Sequence, residues 1–202
     1  MDGTLLDLAF DNYFWRELIP RVIARRRNIT EGRAREHVFE LYADKEGTLD
    51  WYCLDFWGRQ LELDLVELKT ASSQRIRFLP GAREFLQMAR DSGKRLVLVT
   101  NAHQENLNMK KDVAGLTLWI DEFVSSHDIG APKEKRVFWE RLQAGLGFDP
   151  AAALFVDDSQ AVLDAAAAFG IGSVIGIRCP DSRMPGRDTG RHPSIDSIAE
   201  WL

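Results

Sequence analysis

RLVLVTNA (95–102) is the stretch on which the architecture turns. Leu96 to Val99 run apolar without alternation and stop at Thr100 and Asn101. Such a run suits a strand buried on both faces, as parallel sheets require. ALFVDD (153–158) repeats the pattern and ends in two carboxylates, while SVIGIR (173–178) and the weaker EFVSS (122–126) supply two further strands. Between them the apolar spacing predicts helices over about 103–113, 134–146 and 159–169, the last closed by Gly170. Just upstream, Ala82, Phe85, Leu86 and Ala89 form an inward stripe, with Pro80 suited to a first helical position and Gly93 to a C-cap. Strand and helix alternate over short links, which predicts an open parallel α/β sheet with helices on both faces.

Moving outward, the texture changes near residue 78. DNYFWRELIPRVIARR (11–26), TEGRAREHVFELYAD (30–44), LDWYCLDFWGRQL (49–61) and DLVELKTASSQR (64–75) each space their large residues at helical intervals, with Thr30 and Asp50 placed as N-caps. At the other end, the Gly-, Pro- and charge-rich stretch from Cys179 to Arg191 predicts a surface loop leading to a short helix near Ile195–Leu202.

The chain has 202 residues, 45% apolar and 28% charged, which fits a globular body and argues against disorder. Lys and Arg number 26 against 31 Asp and Glu, and the resulting charge of −5 disfavours a nucleic-acid polymer as partner. No apolar run reaches the ~18 residues of a membrane span. The opening MDGTLLDLAF lacks the basic flank and apolar stretch of a signal peptide, so a cytoplasmic protein is expected. Cys53 and Cys179 stand far apart without metal-ligand spacing, and predict neither a disulfide framework nor a zinc site.

In open α/β sheets, ligands sit beyond the carboxyl ends of the strands. Thr100 and Asn101 follow one strand, Asp157 and Asp158 another, and Lys133 precedes a helix after a Gly-Ala-Pro turn; Asp2-Gly3-Thr4 opens the chain. Two adjacent carboxylates aimed at one crevice repel unless a cation lies between them, and hard oxygen ligands suit Mg²⁺. Alone, an Asp-Asp pair after a strand is more often a helix N-cap with a solvated neighbour; beside the other rim residues it predicts a metal. Thr100 can donate to a phosphate oxygen together with the N–H groups of the following helix start, or be an ordinary N-cap. Lys133 is a plain surface lysine or a neutraliser of phosphate charge. Asp164 braces the metal site or is a helix-surface charge.

These residues resemble the motifs of the haloacid dehalogenase superfamily, most of whose members are Mg²⁺-dependent phosphatases. The four stations are MDGTLLD, LVLVTNA, the lysine of GAPKEK, and LFVDDSQAVLDAA, in order along the chain. The resemblance implies a Rossmann-like core over 1–9 and 76–202 with an inserted α-helical cap over 10–75. Within the superfamily, MDGTLLDLAFDNYFW, LDWYCLDFWGRQL, LFVDDSQAVLDAAAAFGI and the ending RHPSI are similar to members that hydrolyse the purine nucleoside 5′-monophosphates GMP and IMP.

The superfamily's first motif is DxDGT, and Met1 occupies its x position. The attacking Asp and the strand behind it are therefore expected upstream of residue 1, in a chain that begins roughly 10–25 residues earlier. What the resemblance implies is hydrolysis through an aspartyl-phosphate, with Asp2 as acid and base. Mg²⁺ would be held by the missing Asp, the Asp2 carbonyl, Asp158 and Asp157. Thr100 and Lys133 would grip phosphate, Asn101 would orient it, and Gly3 would permit the tight backbone after Asp2. In the cap, Phe14, Trp15, Trp51 and Tyr52 are candidates for stacking on a base, with Arg16 or Arg25, Arg26 and Arg27 as polar contacts. The same aromatic residues also read as the cap's own core. His103 either approaches the site or plays a capping role, and His37, His127 and His192 show no ligand spacing. The alternatives are a sugar-phosphate or phosphoglycolate phosphatase, a dehalogenase, and a fragment that binds phosphate and metal without catalysis.

Overall fold

A computed structural model describes residues 1–202. Strand β1 (Val97–Thr100) pairs in parallel with β2 (Glu122–Ser125), from Val97↔Glu122 to Thr100↔Ser125. Strand β3 (Leu154–Asp157) pairs in parallel with β4 (Ser173–Ile177), which carries the two-residue β5 (Ser194–Ile195) on its far edge. Alternation along these strands feeds two cores at once. Leu98, Val156 and Ile177 join one cluster with Leu86 and Leu107, whereas Val99, Phe155 and Val174 pack against Trp139, Leu142 and Leu163. Helices α7 (Ala82–Asp91) and α8 (Gln104–Ala114) cover one face, and α9 (Arg136–Leu146) and α10 (Gln160–Phe169) cover the other. The α/β class with parallel strands is as expected. The ladders β1-β2 and β3-β4-β5 stay separate. Residues 1–6 close a turn, with the Gly3 N–H donating to Leu6 O at 2.7 Å and the Leu5 N–H to Met1 O at 2.9 Å, so they supply no rung between the ladders.

Residues 9–75 form helices α1 (Ala9–Tyr13), α2 (Ile19–Arg27), α3 (Glu31–Ala43), α4 (Leu49–Tyr52), α5 (Leu54–Leu61) and α6 (Leu65–Ala71) around a cluster of their own, led by Phe14, Ile19, Ile23, Val38, Tyr42, Trp57 and Leu61. Two helices expected to be continuous are broken. A wide π turn occupies Phe14–Leu18, just ahead of Pro20, which has no N–H to offer the Arg16 carbonyl. Cys53 is extended and separates α4 from α5. Thr30 caps α3 as its position implied, but α4 is capped by Thr48, and Asp50 falls inside its first turn. Pro80 precedes its helix, which begins at Ala82. No helix is long and apolar enough to cross a membrane.

The stretch from Cys179 to Arg191 is the expected surface loop, exposed over residues 182–188, but it is tethered. Pro180 O accepts from the Leu8 N–H at 2.9 Å, Ser182 Oγ donates to Asp7 at 2.5 Å, and buried Asp181 accepts from Asn12 Nδ2 at 2.7 Å. It straps the first residues of the helical segment to the core. A turn of 3₁₀ helix over Ile198–Trp201 then buries Ile198.

Candidate active site

A cavity of about 660 Å³ opens where the strands end and the helical segment faces them. Asp2, Thr100, Asn101, Lys133, Asp157 and Asp158 all line it. The residues that sequence placed on one rim are thus brought to one cavity, although their partners differ from expectation.

Lys133 is buried, and its Nζ donates to Asp157 Oδ2 at 2.5 Å. Its backbone is pinned from both sides: the N–H donates to Asn101 Oδ1 at 2.9 Å, and the carbonyl accepts from Trp139 Nε1 at 2.8 Å. Asn101 therefore braces the lysine's loop, its amide donating onward to Glu134. Thr100 does not cap α8, which starts after His103. Its Oγ1 accepts from the Ala102 N–H at 3.1 Å, leaving the hydroxyl proton for a ligand.

Burial works against ionising Asp157, but Lys133 outweighs it and holds the carboxyl below its ordinary value. Asp158 goes the other way. Burial, and then the neighbouring Asp157 charge, push it up to about 6 despite Arg187. Its carboxylate lies against Gly3, where a Cβ would meet Asp158 Cγ at 2.5 Å; Gly3 also has φ +72°, so only glycine suits the position.

No three His, Cys, Asp or Glu side chains gather as one metal cluster. Each carboxylate is drawn to its own cation: Asp2 to Lys110, Asp157 to Lys133 and Asp158 to Arg187. Mg²⁺ keeps several waters and is bound through one or two carboxylates plus substrate phosphate. The adjacent pair Asp157 and Asp158, with the Asp158 carboxyl raised by burial and by the Asp157 charge, fits that demand without a third side chain.

The opposite wall belongs to the helical segment. Trp15, Trp51 and Tyr52 line the cavity, joined by Phe39, Tyr42 and Trp57, and Arg16 stands at its edge. Phe14 is fully buried in the helical core instead, with the Lys69 ammonium over its ring. Tyr52 is tethered, its hydroxyl donating to Glu134 Oε1 at 2.6 Å. Arg26 pairs with Glu62 and Arg27 Nη1 lies 3.1 Å from His37 Nε2, so these two arginines are spent elsewhere. Asp164 accepts from His192 at 2.9 Å and pairs with Arg191 at 3.1 Å. His103 faces Asp55 at 3.7 Å and stacks edge-on with His127.

Besides Phe39, Tyr42 and Trp57, the sequence reading missed Asp11, Asn106, Glu134 and Arg187 in the lining, and Lys110, which pairs with Asp2. Glu134 follows Lys133 directly, and Asn106 and Lys110 share a face of α8 at i, i+4 spacing, a signal that was available. Arg187 carried none, because it arrives from the strap.

A family model described as haloacid dehalogenase-like hydrolase matches residues 1–170. The chain is 42% identical over 202 residues to the GMP/IMP nucleotidase of Escherichia coli (strain K12), covering 100% of this chain and 91% of that protein. Among solved structures, a HAD phosphatase from Thermococcus onnurineus superposes with a TM-score of 0.80 at 22% identity, covering 100% of this chain and 93% of that one. A predicted phosphoglycolate phosphatase from Haemophilus somnus gives 0.71 at 21%, with 100% and 93% covered. These two likenesses concern the fold; the family model and the full-length identity carry the assignment. The chain belongs to the haloacid dehalogenase-like hydrolases.

Proposed function

We propose that the chain is a phosphomonoesterase for purine nucleoside 5′-monophosphates, GMP and IMP foremost. The observation that carries this reading is the two-ended cavity. Cationic, hydroxyl and carboxylate groups lie at the strand ends, and a wall of indole and phenol rings lies opposite. A nucleotide has the same two ends, a phosphate and a flat base, and base-on-aromatic stacking contributes ~1–3 kcal/mol. The 42% identity to a GMP/IMP nucleotidase supports the same substrate class.

Lys133 and the Thr100 hydroxyl hold phosphate oxygens, with Asn101 and Trp139 fixing the lysine's loop. The attacking carboxylate is the first Asp of the DxDGT pattern, of which Asp2 is the second. Asp2 gives its proton to the ester oxygen as the P–O bond breaks, then takes one from the water that releases phosphate. Asp157, Asp158 and the Asp2 carbonyl are the groups that would hold Mg²⁺, which supplies charge neutralisation at the phosphoryl oxygens. The helical segment acts as the cap, excluding water and reading the base through Trp15 and Trp51.

The test is phosphate release by the protein purified with its native N-terminus, across GMP, IMP, AMP, phosphoglycolate and sugar phosphates. GMP and IMP are expected to lead in kcat/KM. A faster turnover of the small phosphorylated acids or sugars reverses the assignment, and Trp51→Ala should raise KM for GMP roughly tenfold through lost stacking.

A further inference from the structure

Lys110 lies on α8, one turn beyond Asn106, and is 1% exposed. Its Nζ donates to Asp2 Oδ1 at 2.5 Å and also to Asp11 Oδ2. Asp11 Oδ1 in turn accepts from Lys69 Nζ at 2.7 Å, and Lys69, equally buried, comes from α6 of the helical segment. Two ammoniums and two carboxylates thus form one chain from the cavity into the cap. Aromatic rings enclose it: Lys69 Nζ stands 4.5 Å from the Phe14 centroid and Lys110 Nζ 5.2 Å from that of Phe10.

Buried ion pairs are costly to desolvate, and apolar residues of like volume often serve stability as well. Stability is therefore a weak account of this chain of charges. Its geometry has a clearer consequence. Asp2 lines the cavity; Lys110 fixes its Oδ1, and its Oδ2 takes no hydrogen bond from the protein. One oxygen is held while the other is left for the substrate.

On the phosphatase reading, we propose that Lys110 is the positioning residue that aims Asp2 at the leaving group, and that the Asp11–Lys69 arm makes its aim depend on the seating of the cap. As the P–O bond to the nucleoside breaks, its electron pair stays on the bridging oxygen, which takes the Asp2 proton. The nucleoside leaves as the neutral 5′-alcohol, and the Asp2 carboxylate is left beside the Lys110 ammonium, which stabilises it. Lys110 touches no reacting atom.

A substrate whose leaving group departs without a proton separates this role from general support of the fold. With the native-N-terminus protein, Lys110→Met should slow first-turnover release of nucleoside from GMP ~100-fold, while first-turnover release of nitrophenolate from p-nitrophenyl phosphate falls less than ~5-fold. In an Asp2→Asn background, Lys110→Met should change nucleoside release less than ~2-fold, since the two act on one step. Lys69→Met, which leaves the Asp2–Lys110–Asp11 contacts in place, should show the same split at ~10-fold. Equal losses on both substrates, or multiplicative losses in the double variant, overturn the positioning role. If circular dichroism shows Lys110→Met unfolded, Lys69→Met decides: the split supports the assignment, and equal losses or none overturn it. Wild-type protein that releases phosphate from no nucleotide sinks the phosphatase reading and this role with it; wild-type turnover with unsplit variants sinks the role alone.

Discussion

The Tyr52 hydroxyl donates to Glu134 Oε1 at 2.6 Å, and the Asn101 amide donates to the same carboxylate. One residue comes from the helical segment, one from the strand end of β1 and one from the loop that carries Lys133. This shared carboxylate joins the two walls of the cavity. Burial, then the Glu134 charge, raise the Tyr52 phenol well above its ordinary range, so it stays a donor throughout the working pH.

Tyr52→Phe removes that donor and leaves Glu134 with Asn101 alone. A hydrogen bond to a charged group contributes ~1.5–3 kcal/mol. KM for the nucleotide is expected to rise about tenfold, the ~1.5 kcal/mol end of that range, with kcat changing less. Steady-state kinetics on GMP check this; an unchanged KM would falsify the proposed tie between the walls.

Gly3→Ala acts through backbone and contact together. A left-handed conformation costs an L-residue ~1–2 kcal/mol, and the new Cβ would lie 2.5 Å from Asp158 Cγ. The carboxylate must move, so phosphatase activity is expected to fall at least ~100-fold, as for misplaced catalytic groups. Thermal unfolding measured alongside should shift only by the few degrees that the strain alone explains; activity within a factor of a few of wild type counts against Asp158 as a site group.

Asp158→Asn keeps the shape and removes the charge. Activity stimulated by Mg²⁺ should disappear, and calorimetric titration with MgCl₂ should show binding lost or weakened ~10- to 100-fold. EDTA treatment of the wild type should stop turnover, with MgCl₂ restoring it. A variant with the wild-type Mg²⁺ response removes Asp158 from the proposed ligand set.

The buried charge chain gives a pH dependence with a definite sign. Burial opposes ionising Asp11, but Lys110 and Lys69 hold its carboxyl far below the ordinary value. A depressed folded-state pKa adds stability that is fully present above the unfolded value, ~3.9, and is lost as pH falls below it. Urea unfolding from pH 7 to pH 3 should show stability dropping on the acid side. Asp11→Asn, which strands buried ammoniums, should cost ~3 kcal/mol at pH 7 and flatten that acid limb. An equally steep limb in the variant excludes Asp11 as its source.

The strand ends were legible because parallel β-strands announce themselves as apolar runs ended by polar residues. Thr100, Asp157 and Asp158 were placed from LVLVT and LFVDD without any tertiary knowledge, and Thr30 as an N-cap from local chemistry alone. Cys53 and Pro20 broke helices that apolar periodicity drew as continuous, since periodicity records which residues face a core and not whether the backbone between them is interrupted. The Asn101 contact to Glu134 was not legible either, because an amide fits a phosphate or a carboxylate equally well and only the fold brings Glu134 to it.

By itself, then, the order of apolar runs and polar stops determined an α/β core with a helical insertion and named the groups at its rim, because burial and strand ends are properties of short segments. Which carboxylate meets which cation was decided by folding alone. Lys110 and Asp11 lie 99 positions apart, Arg187 and Asp158 29, and no local pattern encodes a pairing that exists only once distant segments are packed and their charges must find partners out of water.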